Sequence, residues 1–107
     1  MSRWGLFVEE TAGSGEGRRW EFDLLGHADG SREDALRALE RTAQAFRPRK
    51  PLSVRRSWTY RTGDGLLQVN EGMTTTYICR FTVAELIADS KDASVAATPR
   101  DRVPEGY

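Results

Sequence analysis

Residues 74–87 read TTTYICRFTVAELI, and their side-chain pattern governs how the chain closes its fold. Tyr77, Cys79 and Phe81 share one face of an extended backbone while Ile78 and Arg80 share the other, so Thr74–Phe81 is expected to be a strand with Cys79 as a small core residue. Thr82-Val83-Ala84-Glu85 comes next with the spacing of a capping box, in which hydroxyl and carboxylate each satisfy a backbone amide. That pattern predicts a short C-terminal helix with Leu86 and Ile87 turned to the core.

Immediately upstream, Thr62-Gly63-Asp64-Gly65 and Glu71-Gly72 carry the chemistry of tight hairpin turns. They separate a strand over Val54–Arg61, a strand over Leu66–Val69 and the strand from Thr74, which together predict a three-stranded meander. Before the linker Arg47-Pro48-Arg49-Lys50-Pro51, Ser31 is a good N-cap with Asp34 at the reciprocal capping position. Glu33 and Asp34 also suit the positive end of a helix dipole. Leu36, Leu39, Ala43 and Phe46 recur at spacings of three and four, one apolar stripe on a helix of about four turns that Pro48 ends.

Nearer the amino terminus, WGLFVE (4–9) reads as a first strand. In RRWEFDLL (18–25), Trp20, Phe22 and Leu24 alternate with Arg19, Glu21 and Asp23, a second strand with one buried and one wet face. The Gly-rich TAGSGEG (11–17) joins the two as an antiparallel hairpin, and Gly26-His27-Ala28-Asp29-Gly30 breaks the second strand. The expected fold is therefore α+β: a five-stranded, mainly antiparallel sheet in the order ββαβββα, with the long helix packed on one face and a short C-terminal helix. Residues 1–90 form a single domain on this reading, and 91–107, with little to bury, a disordered tail. The last five elements also have the order of a double-stranded-RNA-binding domain, although Val83-Ala84-Glu85 stands where a basic run would open that fold's final helix.

The chain of 107 residues has a net charge of zero, but the charge is distributed in blocks. Residues 1–30 carry three basic and six acidic groups, residues 31–61 nine and three, and residues 62–107 four and seven. From Arg41 to Arg61 there are seven basic residues and no acidic one. Such a block attracts an anionic partner unless the acidic flanks neutralise it within the fold. No apolar run approaches the roughly 20 residues that span a bilayer, so no membrane association is expected. The first residues carry no secretory pattern, and a single cysteine suits a reducing compartment, so the expected location is the cytoplasm.

Catalytic chemistry finds little support. His27, Asp29 and Ser31 include the residue types of a hydrolytic triad, but triad partners converge from separate elements, and Ser31 and Asp29-Gly30 are explained by a cap and a turn. One histidine and one cysteine do not make a closed zinc site. Gly13-Ser14-Gly15-Glu16-Gly17 lacks the Lys-Ser or Lys-Thr ending and the subsequent helix of a phosphate-binding loop. No catalytic residue, cofactor or metal is assigned.

The stretch RRSWTYR (55–61) remains. In a strand, Val54, Arg56, Trp58 and Tyr60 share one face while Arg55, Ser57, Thr59 and Arg61 share the other. The apolar face is expected to pack beneath the helix with Trp20, Phe22 and Leu39, making Trp58 and Tyr60 core residues; a helix covering only part of the sheet would leave Trp58 in solvent beside Arg56.

From Trp20 to Ser90 the chain resembles small uncharacterised proteins of Streptomyces-type actinobacteria, in the helix SREDALRALERTA, the turn YRTGDG and the closing CRFTVAELI. The resemblance implies a bacterial cytoplasmic origin and brings no site residue with it. The residues themselves lead to a small non-enzymatic protein-interaction or regulatory module, its partner another protein or a second copy in a homodimer. The alternative is a nucleic-acid-binding protein that contacts phosphates through Arg47, Arg49, Lys50, Arg55, Arg56 and Arg61.

Overall fold

Five strands and one helix form in the order β-β-α-β-β-β: β1 (Arg3–Ala12), β2 (Arg19–Asp29), α1 (Arg32–Ala45), β3 (Arg56–Arg61), β4 (Gly65–Glu71) and β5 (Thr76–Glu85). They belong to a computed structural model that describes residues 2–12, 19–48, 53–92 and 94–95. The Gly-rich residues 13–18, the linker residues 49–52 and most of the expected tail lie outside the described residues.

The expected C-terminal helix is replaced by strand, so α1 is the one helix among the described residues. Thr82 and Val83 pair with Phe7 and Leu6 of β1. On the other side the Val83 N–H donates to the Asp64 carbonyl at 3.1 Å, and farther on the Leu86 N–H donates to the Arg3 carbonyl at 2.7 Å. The physical reason is that Val83 continues the buried alternation of Cys79 and Phe81, and its side chain enters the core. β-branched Thr82 and Val83 favour a pleated ladder with partners on both sides over a helix that must nucleate alone. The capping-box spacing is outweighed, and with it go the order ββαβββα and the likeness to a double-stranded-RNA-binding domain.

The sheet has the order β2-β1-β5-β4-β3, and every neighbouring pair is antiparallel. β2 and β3 are therefore the two edges and run in the same direction, so their connection must cross the whole sheet over one face. α1 makes that crossing, packing on β5, β2, β1 and β4 and meeting β3 through the Glu40–Arg61 side-chain pair. Its start is built as expected: Asp34 N–H donates to Ser31 Oγ at 3.1 Å and Ser31 N–H donates to Asp34 Oδ2 at 2.9 Å. Ala35, Leu39 and Ala43 are its buried residues, with Leu36 and Phe46 flanking them. Beneath them lie Leu6, Val8, Leu66, Phe81 and Val83, and Phe46 meets Phe81 edge to face at 5.5 Å.

Strand phase is where the expected core is corrected. The β1–β2 register shifts between Leu6 and Phe7, whose partners are Gly26 and Leu24, so Leu25 is an extra residue in a bulge. Before the bulge, Trp20, Phe22 and Leu24 point away from α1; after it, Ala28 joins Leu25 at the core. Trp20, Phe22 and Leu24 are accordingly 49%, 62% and 52% exposed rather than buried. β2 also continues through Gly26-His27-Ala28 to Asp29, because each of these residues has a partner on β1. Only at Gly30, with φ of +124°, does the chain turn into the helix, a conformation that glycine adopts without strain.

Candidate functional site

The face of the sheet opposite α1 is uncovered among the described residues. Register and alternation assign its side chains. β2 contributes Trp20, Phe22 and Leu24, and β1 contributes Phe7 and Glu9. Ile78 and Arg80 of β5 lie opposite Val69 and Leu67 of β4, which in turn lie opposite Trp58 and Tyr60 of β3. The face is a half-buried aliphatic floor, Leu67, Val69 and Ile78, between an aromatic rim on each edge strand.

Each rim is organised by its neighbours. Phe22 meets Phe7 edge to face at 5.8 Å. Trp58 Nε1–H donates to Tyr60 Oη at 2.9 Å, which holds the second rim together while Tyr60 remains 55% exposed. An arginine lies over each indole: the Arg56 guanidinium is 4.4 Å from the Trp58 ring centre, and that of Arg80 is 5.8 Å from Trp20. Such cation–π contacts orient both partners at the surface.

Trp58 and Tyr60 thus do not pack beneath the helix, contrary to the expectation, because the β3 register puts them with Leu67 and Val69 on the far face. The residues of β3 on the helix side are Ser57, Thr59 and Arg61. Ser57 Oγ donates to Asn70 Oδ1 at 2.8 Å, and the buried Asn70 donates to Gln68 Oε1 at 3.1 Å. That polar patch continues to Cys79, 1% exposed, whose thiol is pushed up to about 12 by burial and secondarily by Glu10. Cys79 is a core residue, and at neutral pH it is a thiol without thiolate character.

The six basic residues singled out in the sequence are not brought together. Arg56 alone joins the open face. Arg61 lies on the helix side, 3.4 Å from Glu40. Arg47 lies just past the helix and donates to the carbonyl oxygens of Gln44 and Phe46 at 3.4 and 3.3 Å. Arg55 is exposed just before β3, and Arg49 and Lys50 lie outside the described residues. Arg80, which sequence reasoning left unused, enters the face instead.

The face is also electrically balanced. Its arginines are Arg3, Arg56 and Arg80, and opposite them in register stand the carboxylates of Asp29, Glu71 and Glu9. Arg3 Nε reaches Asp29 Oδ1 at 2.8 Å, and this hydrogen bond lowers the Asp29 pKa below the usual carboxylate value. The three residues with triad chemistry have separate places: Asp29 holds Arg3, Ser31 caps α1 as expected, and His27 is exposed on the open face.

On the helix side, between α1 and β3, a cleft of about 370 Å³ is lined by Glu40, Gln44, Thr59, Arg61, Leu66 and Gln68, with Ala43 and Tyr60. Its two charged groups face each other in the Arg61–Glu40 pair, leaving amide and hydroxyl groups as its other polar lining. No cluster of three metal-ligating side chains occurs among the described residues. No helix there is long and apolar enough to cross a membrane. No family model, curated protein or solved structure matches the chain.

The aromatic face had one legible signal, the adjacent Leu24-Leu25. Two neighbouring apolar residues cannot share a face of a regular strand, so one must either leave the core or mark a bulge. Here it does both.

Proposed function

We propose that the protein is a small non-enzymatic binding module that holds a protein partner on the open face of its sheet. The observation that carries this reading is the exposure of Trp20, Phe22, Leu24 and Tyr60 on one continuous face. A contiguous apolar and aromatic surface of this kind is uncommon on monomers and marks interaction sites. Trp, Tyr and Arg are the residue types that dominate interface energetics, and all three stand on this face. A reducing, cytoplasmic compartment is part of the reading, supported by the single buried cysteine.

Single-stranded nucleic acid is the rival occupant, favoured by the arginine–indole contacts and by exposed Arg47 and Arg55. Charge favours the protein partner. A polyanion is attracted by a net positive field, and each arginine of this face has a carboxylate across the ladder. The experiment compares ligands captured by the wild-type chain with those captured by Phe22→Arg, Trp58→Ser and, on the exposed side of α1, Arg41→Ala. A protein held by wild type and Arg41→Ala but released by both face variants supports the reading. Binding that ignores the face variants defeats it, and a thymidine oligonucleotide whose affinity collapses with salt transfers the face to nucleic acid.

A further inference from the structure

We infer that the occupant of the open face is a second copy of this chain, packed sheet to sheet. The inference rests on the reading of the face as a docking surface and names what docks there.

Size is the first argument. The face is five strands wide at about 4.8 Å per strand, and the seven-residue Trp4–Glu10 register with β5 gives it a length at about 3.3 Å per residue, so it measures roughly 24 by 23 Å. A ridged side-chain surface on that footprint is comparable with the ~800 Å² that each partner contributes to a stable interface.

Charge is the second. A surface carrying net charge repels its own copy, but here Arg80 stands opposite Glu9, Arg56 opposite Glu71 and Arg3 opposite Asp29. The guanidinium groups of Arg80 and Arg56 also lie over indoles of their own chain. Arg3 is already ion-paired with Asp29 at 2.8 Å, and Arg56 and Arg80 rest on indoles with a carboxylate across the ladder, which limits the desolvation penalty of bringing arginine into an interface.

Shape is the third. Sheets stack about 10 Å apart with their strands turned by about 30°. The half-buried floor of Leu67, Val69 and Ile78 is then the centre of the interface, and the aromatic rims fill the space beside it. The helices lie outermost, giving four layers in the order α, β, β, α. Each sheet is then covered on both sides, by its own helix on one face and by the other sheet on the second.

Sedimentation equilibrium on the full chain between roughly 1 μM and 1 mM tests the inference. The expected result is a mass of two chains at the upper end, with tryptophan emission increasingly shielded from iodide as the dimer forms. Phe22→Arg and Tyr60→Arg each raise the dissociation constant by about 30-fold, the loss of one hot-spot aromatic, while the far-ultraviolet spectrum of the dilute protein is unchanged. Arg41→Ala leaves the dimer intact.

A chain that stays monomeric throughout overturns the inference, as does a dimer that both arginine variants leave untouched. The two readings fail separately. A monomer that captures a different protein through Phe22 and Trp58 retains the docking surface and loses the second copy, whereas a monomer whose binding ignores those residues loses both.

Discussion

A β-carbon added to Gly65 would lie 1.8 Å from the Phe81 carbonyl oxygen, a backbone atom of the paired strand that no rotamer change can move aside. Gly65→Ala is therefore expected to destabilise the fold by on the order of 3 kcal/mol or more, measured by urea denaturation. Gly63→Ala, two residues away with nothing within 4 Å of the new atom, is the control and is expected to leave the midpoint nearly unchanged. Cys79 supplies a second prediction. Its pKa is pushed up to about 12 by burial, above the unfolded value of about 8.5. A raised folded pKa contributes stability that is complete below the unfolded value and is lost as pH rises through the folded one. Stability is expected to fall between about pH 8.5 and 12, and Cys79→Ala to flatten that part of the profile. Iodoacetamide should label Cys79 only as fast as the chain unfolds.

At the scale of elements, α1 and β5 show why two similar capping patterns have different outcomes. Ser31 and Asp34 form the reciprocal cap, whereas Thr82 and Glu85 lie inside a strand. The difference lies in the neighbouring side-chain period. Ala35, Leu39 and Ala43 repeat with a helical period behind Ser31, while Val83 extends a period of two already set by Cys79 and Phe81. Ser31→Ala is expected to cost about 1 kcal/mol in urea unfolding. The Asp34 pKa is lowered by the backbone hydrogen bond from Ser31, and further by the Ser31 side chain and Arg37. A lowered carboxylate contributes stability that is present above its unfolded pKa, near 3.9, and lost as pH falls through the folded value. Thermal midpoints should decline below about pH 4, and Asp34→Asn should make the decline shallower.

At the scale of the whole fold, the one crossing helix among the described residues cannot cover both faces of a five-stranded sheet. The core therefore lies wholly between α1 and one face, and the aromatic residues of β2 and β3 are left on the other. Leu39→Ala, at a site with no exposure, is expected to cost about 2–5 kcal/mol. Phe22→Ser, expected from its alternation to be as damaging, should stay within about 1 kcal/mol, since it loses mainly its edge contact with Phe7. Urea titration of the two variants beside wild type distinguishes a core on the α1 side from one on the aromatic side.

The sequence by itself determined the local elements: the capped helix at Ser31, the strands on either side of Asp64-Gly65 and Glu71-Gly72, and the paired strands at the amino terminus. These depend on side-chain period and turn chemistry, which act over a few residues and so are written in the order of the chain. Only the tertiary structure decided whether Thr82–Glu85 joined a strand, because the ladder it completes belongs to residues 3–10 at the far end of the sequence. Only the tertiary structure decided, too, which face of each strand is the core. Alternation separates two sets of side chains without saying which one meets the helix, and a single bulge at Leu25 reverses the assignment. The candidate site was hidden for the same reason: Trp20 and Trp58 lie on opposite edges of the sheet, and it is the register through β1, β5 and β4 that places them on one surface.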